Sequence, residues 1–474
     1  MSFEYSDSED NDSEMEEPGN DEEEEESMKF LTHAELDTEM KSAIAEVHAI
    51  LQVKPGVCRI LLHKFKWNKE ALFDRFYDCP DTQAFLVSAQ VIPKGGVASV
   101  VVSDDCDICC ELGTLSGLAC NHTACSACWK SYLTEKILVS RQCEIECIAS
   151  ECALLVEEEK IRSYIDDPRV LASYEEQKVN SFVMSNPYMK WCPGRDCGRA
   201  VKTTTTDAQL IPCPCGARFC FCCGQAWHEP ITCEYLKLWF KRCRDDSETF
   251  NWIVANTKEC PKCQVTIEKN GGCNHMSCRS ETCRYQFCWL CMGDWNAHTQ
   301  RGCNGYADAE KDKDREKSRA SLNRYLFYYN RFMAHDHSLK LEKKLKAQVA
   351  LKMEQLQEQP VGLAYVEVKC LEKAVDTLTE CRETLMNTYA FAFYLKRDNH
   401  SLIFEANQKD MEMATESLSG ILERDINVEL ETKINFMEMI LMVQDKSRYV
   451  EARRKILLEH CVEGYENGFW EFNK

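Results

Sequence analysis

The placement of cysteine constrains this chain more than any other feature. Of its 31 cysteines, 26 fall between Cys106 and Cys303 and five lie outside that window. So dense a cluster needs a covalent or a metal framework. The opening run, MSFEYSDSEDNDSEMEEPGNDEEEEES, has neither a basic start nor an apolar core, so no signal peptide is expected. No apolar run of about 18 residues offers a membrane span. A reducing compartment, cytoplasm or nucleus, is the expectation, and there thiols hold metal rather than pair. The spacings suit zinc, which takes four thiolate or imidazole ligands in a tetrahedron.

The 474 residues allow two to five domains at roughly 100–200 residues each. The formal charge of −21 is mostly local, since residues 4–26 hold 14 Asp/Glu and no Lys or Arg. Residues 1–28 therefore read as an acidic disordered tail. The cysteine-rich window carries 22 basic and 24 acidic residues, which lacks the basic footprint of a nucleic-acid binder. Residues 30–92 read as a small helical domain. Leu36, Met40, Ile44, Val47 and Leu51 recur at helical spacing, and Ile60, Leu61, Phe65, Leu72, Phe73 and Phe76 suggest two further short helices after the Pro55-Gly56 turn. Helical linkers are expected at 153–190 and 234–257, the second carrying Trp239, Trp252 and Ile253. Residues 310–474 read as a bundle of four or more helices. There Leu322, Leu326, Tyr329 and Met333 mark one core-facing stripe, and Gln359-Pro360 marks a break.

Three ligand clusters separate within the window. The first, over 106–152, orders Cys106, Cys109, Cys120, His122, Cys125, Cys128, Cys147 and Cys152, enough for two tetrahedral sites. Its Cys-x-His-x2-Cys-x2-Cys core is the RING arrangement. In a RING, ligand pairs interleave, so Cys106, Cys109, Cys125 and Cys128 would hold one ion and Cys120, His122, Cys147 and Cys152 the other. The second cluster, over 191–233, orders Cys192, Cys197, Cys213, Cys215, Cys220, Cys223, His228 and Cys233. Cys110, Cys143, Cys222 and Cys243 are left over as spare thiols.

The third cluster, over 258–304, has ten candidates where two sites need eight. Four pairs stand at ligand spacing: Cys260 with Cys263, Cys278 with Cys283, Cys288 with Cys291, and His298 with Cys303. Cys273 and His275 remain, preceded by Gly271-Gly272. A thiol and an imidazole on a glycine turn suit a nucleophile and its base. The other reading makes Cys273 a ligand and one of the remaining residues spare. With Cys273 and His275 set aside, six zinc ions on 24 ligands are expected.

The order RING, in-between cluster, third cluster with a spare cysteine resembles the RING-between-RING ubiquitin ligases. WCPGRDCGRAVK (191–202), ARFCFCCGQAWHEPITC (217–233), ECPKCQVTIEKNGGCNHMSC (259–278), SLNRYLFYYNRF (321–332) and TLMNTYAFAFYLKRDNHSLIFEANQ (384–408) are similar to the Ariadne branch, within it to the Ariadne-1 group. The resemblance covers about residues 30–474. It implies a multidomain fold: an N-terminal ubiquitin-associated-like helical domain, small zinc-bound α/β modules, and a C-terminal Ariadne helical domain. It also implies a ubiquitin-charged conjugating enzyme docking on the first RING at Ile108. Ubiquitin would pass as a thioester to Cys273, with His275 as the neighbouring base, and then to a substrate lysine. The C-terminal domain would block the cysteine until neddylated cullin complexes relieve it, with Glu342, Glu405 and Glu416 at the inhibitory positions. Two departures from the family pattern stand out: Leu341, where the family has Phe, and Ile148, where a RING usually has Pro. The alternatives are a bridging RING ligase, which would not need Cys273, and a non-catalytic zinc scaffold that binds ubiquitin-like proteins. A thiol protease lacks support from the resemblance.

Overall fold

A capping box opens the first helix: the Thr32 hydroxyl accepts from the Glu35 amide while the Glu35 carboxylate accepts from the Thr32 amide. In a computed structural model of the chain, residues 28–93, 95, 102–245, 257–269, 271–280, 282–297, 303–306, 314–358, 365–424 and 433–473 are described. Residues 1–27 of the expected 1–28 tail, the Trp252-Ile253 part of the second linker, Gln359-Pro360 and the expected ligand His298 lie outside them. The chain divides into two units, Met1–Ala226 and Trp227–Lys474.

The first unit begins with strand β1 (Met28–Leu31), followed by helices α1 (His33–Leu51), α2 (Pro55–Lys64), α3 (Lys69–Tyr77) and α4 (Thr82–Ser88). Of the periodic residues, Leu36, Met40, Val47 and Leu51 are buried and Ile44 is partly buried against the same core, as the helical spacing predicts. Met28 departs from the tail assignment, because it pairs with Thr203. Strand β1 is thereby the edge of a three-stranded antiparallel sheet in the order β1-β6-β5, where β5 is Met189–Trp191 and β6 is Ala200–Thr203. Nothing in the local pattern of MKFL reveals that pairing, which spans about 170 residues of sequence.

A second three-stranded sheet, β2 (Val102–Asp105), β3 (Leu112–Gly117) and β4 (Thr123–Cys125), leads into α5 (Ser126–Leu138). Helices α6 (Glu158–Tyr164) and α7 (Pro168–Ser185) form the first linker. The N-terminal helices are fixed to these elements by buried polar contacts. The Arg59 guanidinium meets Glu144 at 2.7 Å, and the Gly56 amide donates to Glu159 at 3.1 Å. Trp67 sits edge-on to Phe182 and donates to Ser185. Strands β7 (Leu210–Pro212) and β8 (Arg218–Cys220) complete the unit.

The second unit opens with α8 (Cys233–Asp245). Two small hairpins follow, β9 (Thr257–Glu259) with β10 (Thr266–Glu268), and β11 (His275–Ser277) with β12 (Gln286–Cys288). Four long helices close it: α9 (Asp314–Glu358), α10 (Tyr365–Tyr394), α11 (Asn399–Arg424) and α12 (Lys433–Glu466). Their core is aromatic and aliphatic, built on Tyr325, Phe332, Leu378, Leu385, Phe404, Leu418 and Leu457, and α8 inserts the fully buried Trp239 into it. The stripe expected on α9 holds at Tyr329 and Met333, which pack in or against the core, and fails at its first two positions. Leu322 is 48% exposed and Leu326 is exposed, while Tyr325, Tyr328, Tyr329 and Phe332 face inward. Large aromatic rings bury more apolar surface than leucines on the neighbouring stripe, so they set the helix rotation. No helix among the described residues is long and apolar enough to cross a membrane.

Candidate metal centres and a guarded thiol

The metal-ligand sets come together, with the ligand atoms of each set within 4.8 Å of one another. Five groups of four come together: Cys106, Cys109, Cys125 and Cys128; Cys120, His122, Cys147 and Cys152; Cys192, Cys197, Cys213 and Cys215; Cys220, Cys223, His228 and Cys233; and Cys260, Cys263, Cys278 and Cys283. Zinc–sulfur bonds of about 2.3 Å on a tetrahedron place neighbouring sulfurs about 3.8 Å apart. The Sγ–Sγ separations match: 3.9 Å for Cys106–Cys128, 3.7 Å for Cys109–Cys125, 3.6 Å for Cys192–Cys215 and 3.8 Å for Cys260–Cys283. The donor sets thus fit zinc in chemistry and size. In the last set Cys288 meets Cys291 and Cys303, and the expected fourth ligand, His298, is outside the described residues.

Local backbone builds these sites by one repeated device. In each of four Cys-x2-Cys turns the amide following the second cysteine donates to the first cysteine's carbonyl: Cys110 to Cys106, Gly224 to Cys220, Gln264 to Cys260, and Met292 to Cys288. The donor residue takes positive φ each time, between 57° and 73°. Cys110 is therefore accounted for as the left-handed residue of its turn. Cys143 is likewise engaged elsewhere, buried against the Gln177 carbonyl. At His228 the Nδ1–H donates to the Ile231 carbonyl at 2.6 Å, which leaves Nε2, 3.5 Å from Cys233 Sγ, as the ligand nitrogen.

Cys273 belongs to none of these five groups of four and is 7% exposed. Its Sγ lies 3.7 Å from the Glu416 carbonyl of α11, and its amide donates to Glu423 Oε1 at 3.0 Å. Asn274 is held harder. Its amide donates to Glu416 Oε2, and its Nδ2 donates to Glu416 Oε1 at 2.8 Å. Burial pushes the Cys273 thiol well above its ordinary range, and the carboxylates of Glu416 and Glu423 push the same way. The thiol is therefore protonated and shielded in this conformation.

Behind the carboxylates sits Arg382 of α10, fully buried. It reaches Glu342 Oε1 at 2.5 Å, Glu416 Oε1 at 2.7 Å and Ser419 Oγ at 3.0 Å. Glu416 ends at about 2: burial opposes the drop, and Arg382 outweighs it. Glu342 goes the other way, to about 7, because burial dominates and its Oε2 has no partner. On the loop side Lys269 donates to Asn274 Oδ1 and to Ser338 Oγ, both at 2.8 Å, and the Ser338 hydroxyl also lies 2.8 Å from the Gly272 carbonyl.

Comparison with known proteins places this arrangement. Family models match four stretches: the UBA-like domain of the E3 ubiquitin-protein ligase ARIH1 at 38–78, IBR domains at 172–233 and 255–307, and the Ariadne domain at 323–465. The E3 ubiquitin-protein ligase ari-1.1 of Caenorhabditis elegans is 56% identical over 94% of this chain and 90% of its own length. Ariadne-1 of Drosophila melanogaster is 44% identical, covering 94% and 90%, and human ARIH1 is 45% identical, covering 94% and 81%. The chain belongs to the Ariadne family of RING-between-RING E3 ubiquitin ligases.

Within that family frame the remaining expected positions fall as follows. Ile108 projects from the first Cys-x2-Cys turn and is 55% exposed. His275 touches Cys273 through its backbone amide, 3.4 Å from Sγ, while its ring stacks on Trp295 at 4.1 Å and its Nε2 meets Gln286 Oε1 at 3.0 Å. Glu342 and Glu416 converge on Arg382. Glu405 lies elsewhere, its carbonyl accepting from Asn304 Nδ2. Sequence reasoning missed Arg382, Glu423 and Lys269. The one available signal was the seven-residue spacing of Glu416 and Glu423, which puts both on one helix face.

Proposed function

We propose that this Ariadne-family chain is a ubiquitin-protein ligase that carries ubiquitin on Cys273. A conjugating enzyme docks at the first RING through Ile108. The Cys273 thiolate attacks the carbonyl carbon of the incoming thioester, a carbon–sulfur bond forms, and the conjugating enzyme's thiolate leaves. A substrate lysine amine then attacks the new thioester, the amide bond forms, and the Cys273 thiolate departs. The amine's proton goes to a base, the role assigned to His275. Such an exchange needs positioning and proton transfer rather than a large driving force.

Six zinc ions are part of the proposal, on the five sets above and on Cys288, Cys291, His298 and Cys303. Zinc there supplies folding energy, about 10–16 kcal/mol of binding per structural site, and takes no chemical step. The α9–α11 helices hold the ligase off by burying Cys273, and Glu342 and Glu416 carry that lock through Arg382, while Glu405 acts on residues 304–305. Release by a neddylated cullin complex, engaged through the N-terminal helical domain, and a cytoplasmic and nuclear location belong to the same proposal.

The observation that carries it is a cysteine outside the five assembled sets of four and enclosed by acceptor groups of one helix. The test is a thioester trap on the full chain opened by Glu416→Ala. With activating enzyme, conjugating enzyme and ubiquitin, it should form an adduct that dithiothreitol removes and that Cys273→Ala abolishes. Transfer that survives Cys273→Ala would instead establish a bridging RING.

A further inference from the structure

The loop that carries Cys273 turns several hydrogen-bond donors toward the C-terminal helices. Three of them point at α11: the Cys273 amide, the Asn274 amide and Asn274 Nδ2. Each faces a carboxylate oxygen, from Glu423 Oε1, Glu416 Oε2 and Glu416 Oε1 respectively. The glycines ahead of the thiol make room for those oxygens. A Cβ on Gly271 would overlap Glu423 Oε2, and one on Gly272 would stand 3.0 Å from Glu423 Oε1. Asn274 is 1% exposed and Lys269 is 3% exposed, and the Lys269 ammonium fixes the Asn274 side chain by taking its Oδ1. The donors are thus pre-oriented by the protein rather than by solvent.

Consecutive backbone amides beside a nucleophile are the usual means of holding the negative oxygen that develops in acyl transfer. Successive amides also make a concave anion site in their own right. We propose that the Cys273 and Asn274 amides form the oxyanion site for ubiquitin transfer, and that Glu423 and Glu416 inhibit by placing carboxylate oxygens where the acyl oxygen would sit. Attack on the thioester carbonyl by thiolate or amine moves the carbonyl π pair onto oxygen. The two amides hold that oxyanion until the pair returns and the carbon–sulfur bond to the departing thiolate breaks. Lys269 and Arg382 are positioning residues, one for the donors and the other for the plugging carboxylates. This inference rests on the reading of Cys273 as the acceptor of ubiquitin.

The plug and the oxyanion site separate by exchanging one backbone N–H for O. The full chain carrying Glu416→Ala and Glu423→Ala is prepared by cell-free translation with Asn, Ala or lactic acid at position 274. The Ala and lactic acid chains differ only at the amide. Zinc content and conjugating-enzyme binding report that each is folded. Single-turnover formation of the Cys273 adduct, and its discharge onto free lysine, should both slow by about 10²-fold from Ala to lactic acid, the scale of losing one oxyanion donor. Equal rates would overturn the proposal and leave the amides as contacts of the lock alone. A folded Ala chain without activity would move the essential donor to the Asn274 side chain and overturn the backbone assignment. No adduct even with Asn274 would bring down the reading of Cys273 itself, and this inference with it.

Discussion

At the residue scale, one guanidinium organises the surroundings of Cys273. Arg382 is fully buried and shared between Glu342 and Glu416. Removing one partner of a buried ionic group leaves uncompensated charge, at a cost of about 3–5 kcal/mol. Arg382→Ala should therefore lower the stability of the second unit on that scale and speed native alkylation of Cys273, followed by mass spectrometry. An unchanged alkylation rate would show that the carboxylates hold their places without it. Glu342 gives a pH signature. Its folded pKa is raised, to about 7, so its favourable contribution is full below the ordinary carboxylate range and fades as pH rises through 7. Glu412, also near 7, acts in the same direction, while the buried neutral His335, lowered to about 3, opposes both below pH 6.5. The clean comparison is Glu342→Gln against the parent: the variant should gain in relative melting temperature from pH 5 to 8. A constant difference across that range would mean Glu342 is ionised throughout.

At the element scale, the small hairpins and the long helices depend on different forces. The hairpins have two strands of three residues each, too little to stand alone in water. Their stability resides in the ligand sets. The helices α9–α12 bury a continuous apolar core that includes no ligand set. Exposure to a strong zinc chelator should therefore remove the tertiary near-ultraviolet signal of the zinc modules while most far-ultraviolet helicity remains. Loss of both signals in one transition would show that the helices are held up by the metal centres. Turn geometry at this scale was legible in part. Cys-x2-Cys spacing announced the turns, but the left-handed residue closing each one could be Cys, Gly, Gln or Met, so composition gave no cue to it.

At the scale of the whole molecule, α8, the described part of the second linker, belongs to the helical core. Leu236 and Trp239 pack with the helices beyond residue 314. Deleting residues from about 310 onward should raise autoubiquitination per zinc-loaded molecule, because it uncovers Cys273. It should also lower soluble yield, because it bares Trp239 and its neighbours. Glu416→Ala in the full chain avoids that exposure and should activate without the loss. Quantitative autoubiquitination alongside size-exclusion recovery checks both, and a deletion that is soluble but inactive would count against inhibition by these helices.

The sequence by itself determined which cysteines and histidines stand at ligand spacing and that both ends of the folded chain are helical. Ligand spacing is a local property, and Gly271-Gly272 beside Cys273 is visible without any fold. Apolar periodicity found the first helix, yet on α9 it chose Leu322 and Leu326 where packing chose the aromatic stripe beside them. What only the tertiary structure decided are the long-range encounters. Strand β1 meets β6, Arg59 meets Glu144, and Arg382, Glu416 and Glu423 gather at Cys273 from more than 100 residues away. No local pattern encodes such meetings, because a buried charge is tolerable only once its partners have arrived from elsewhere in the chain.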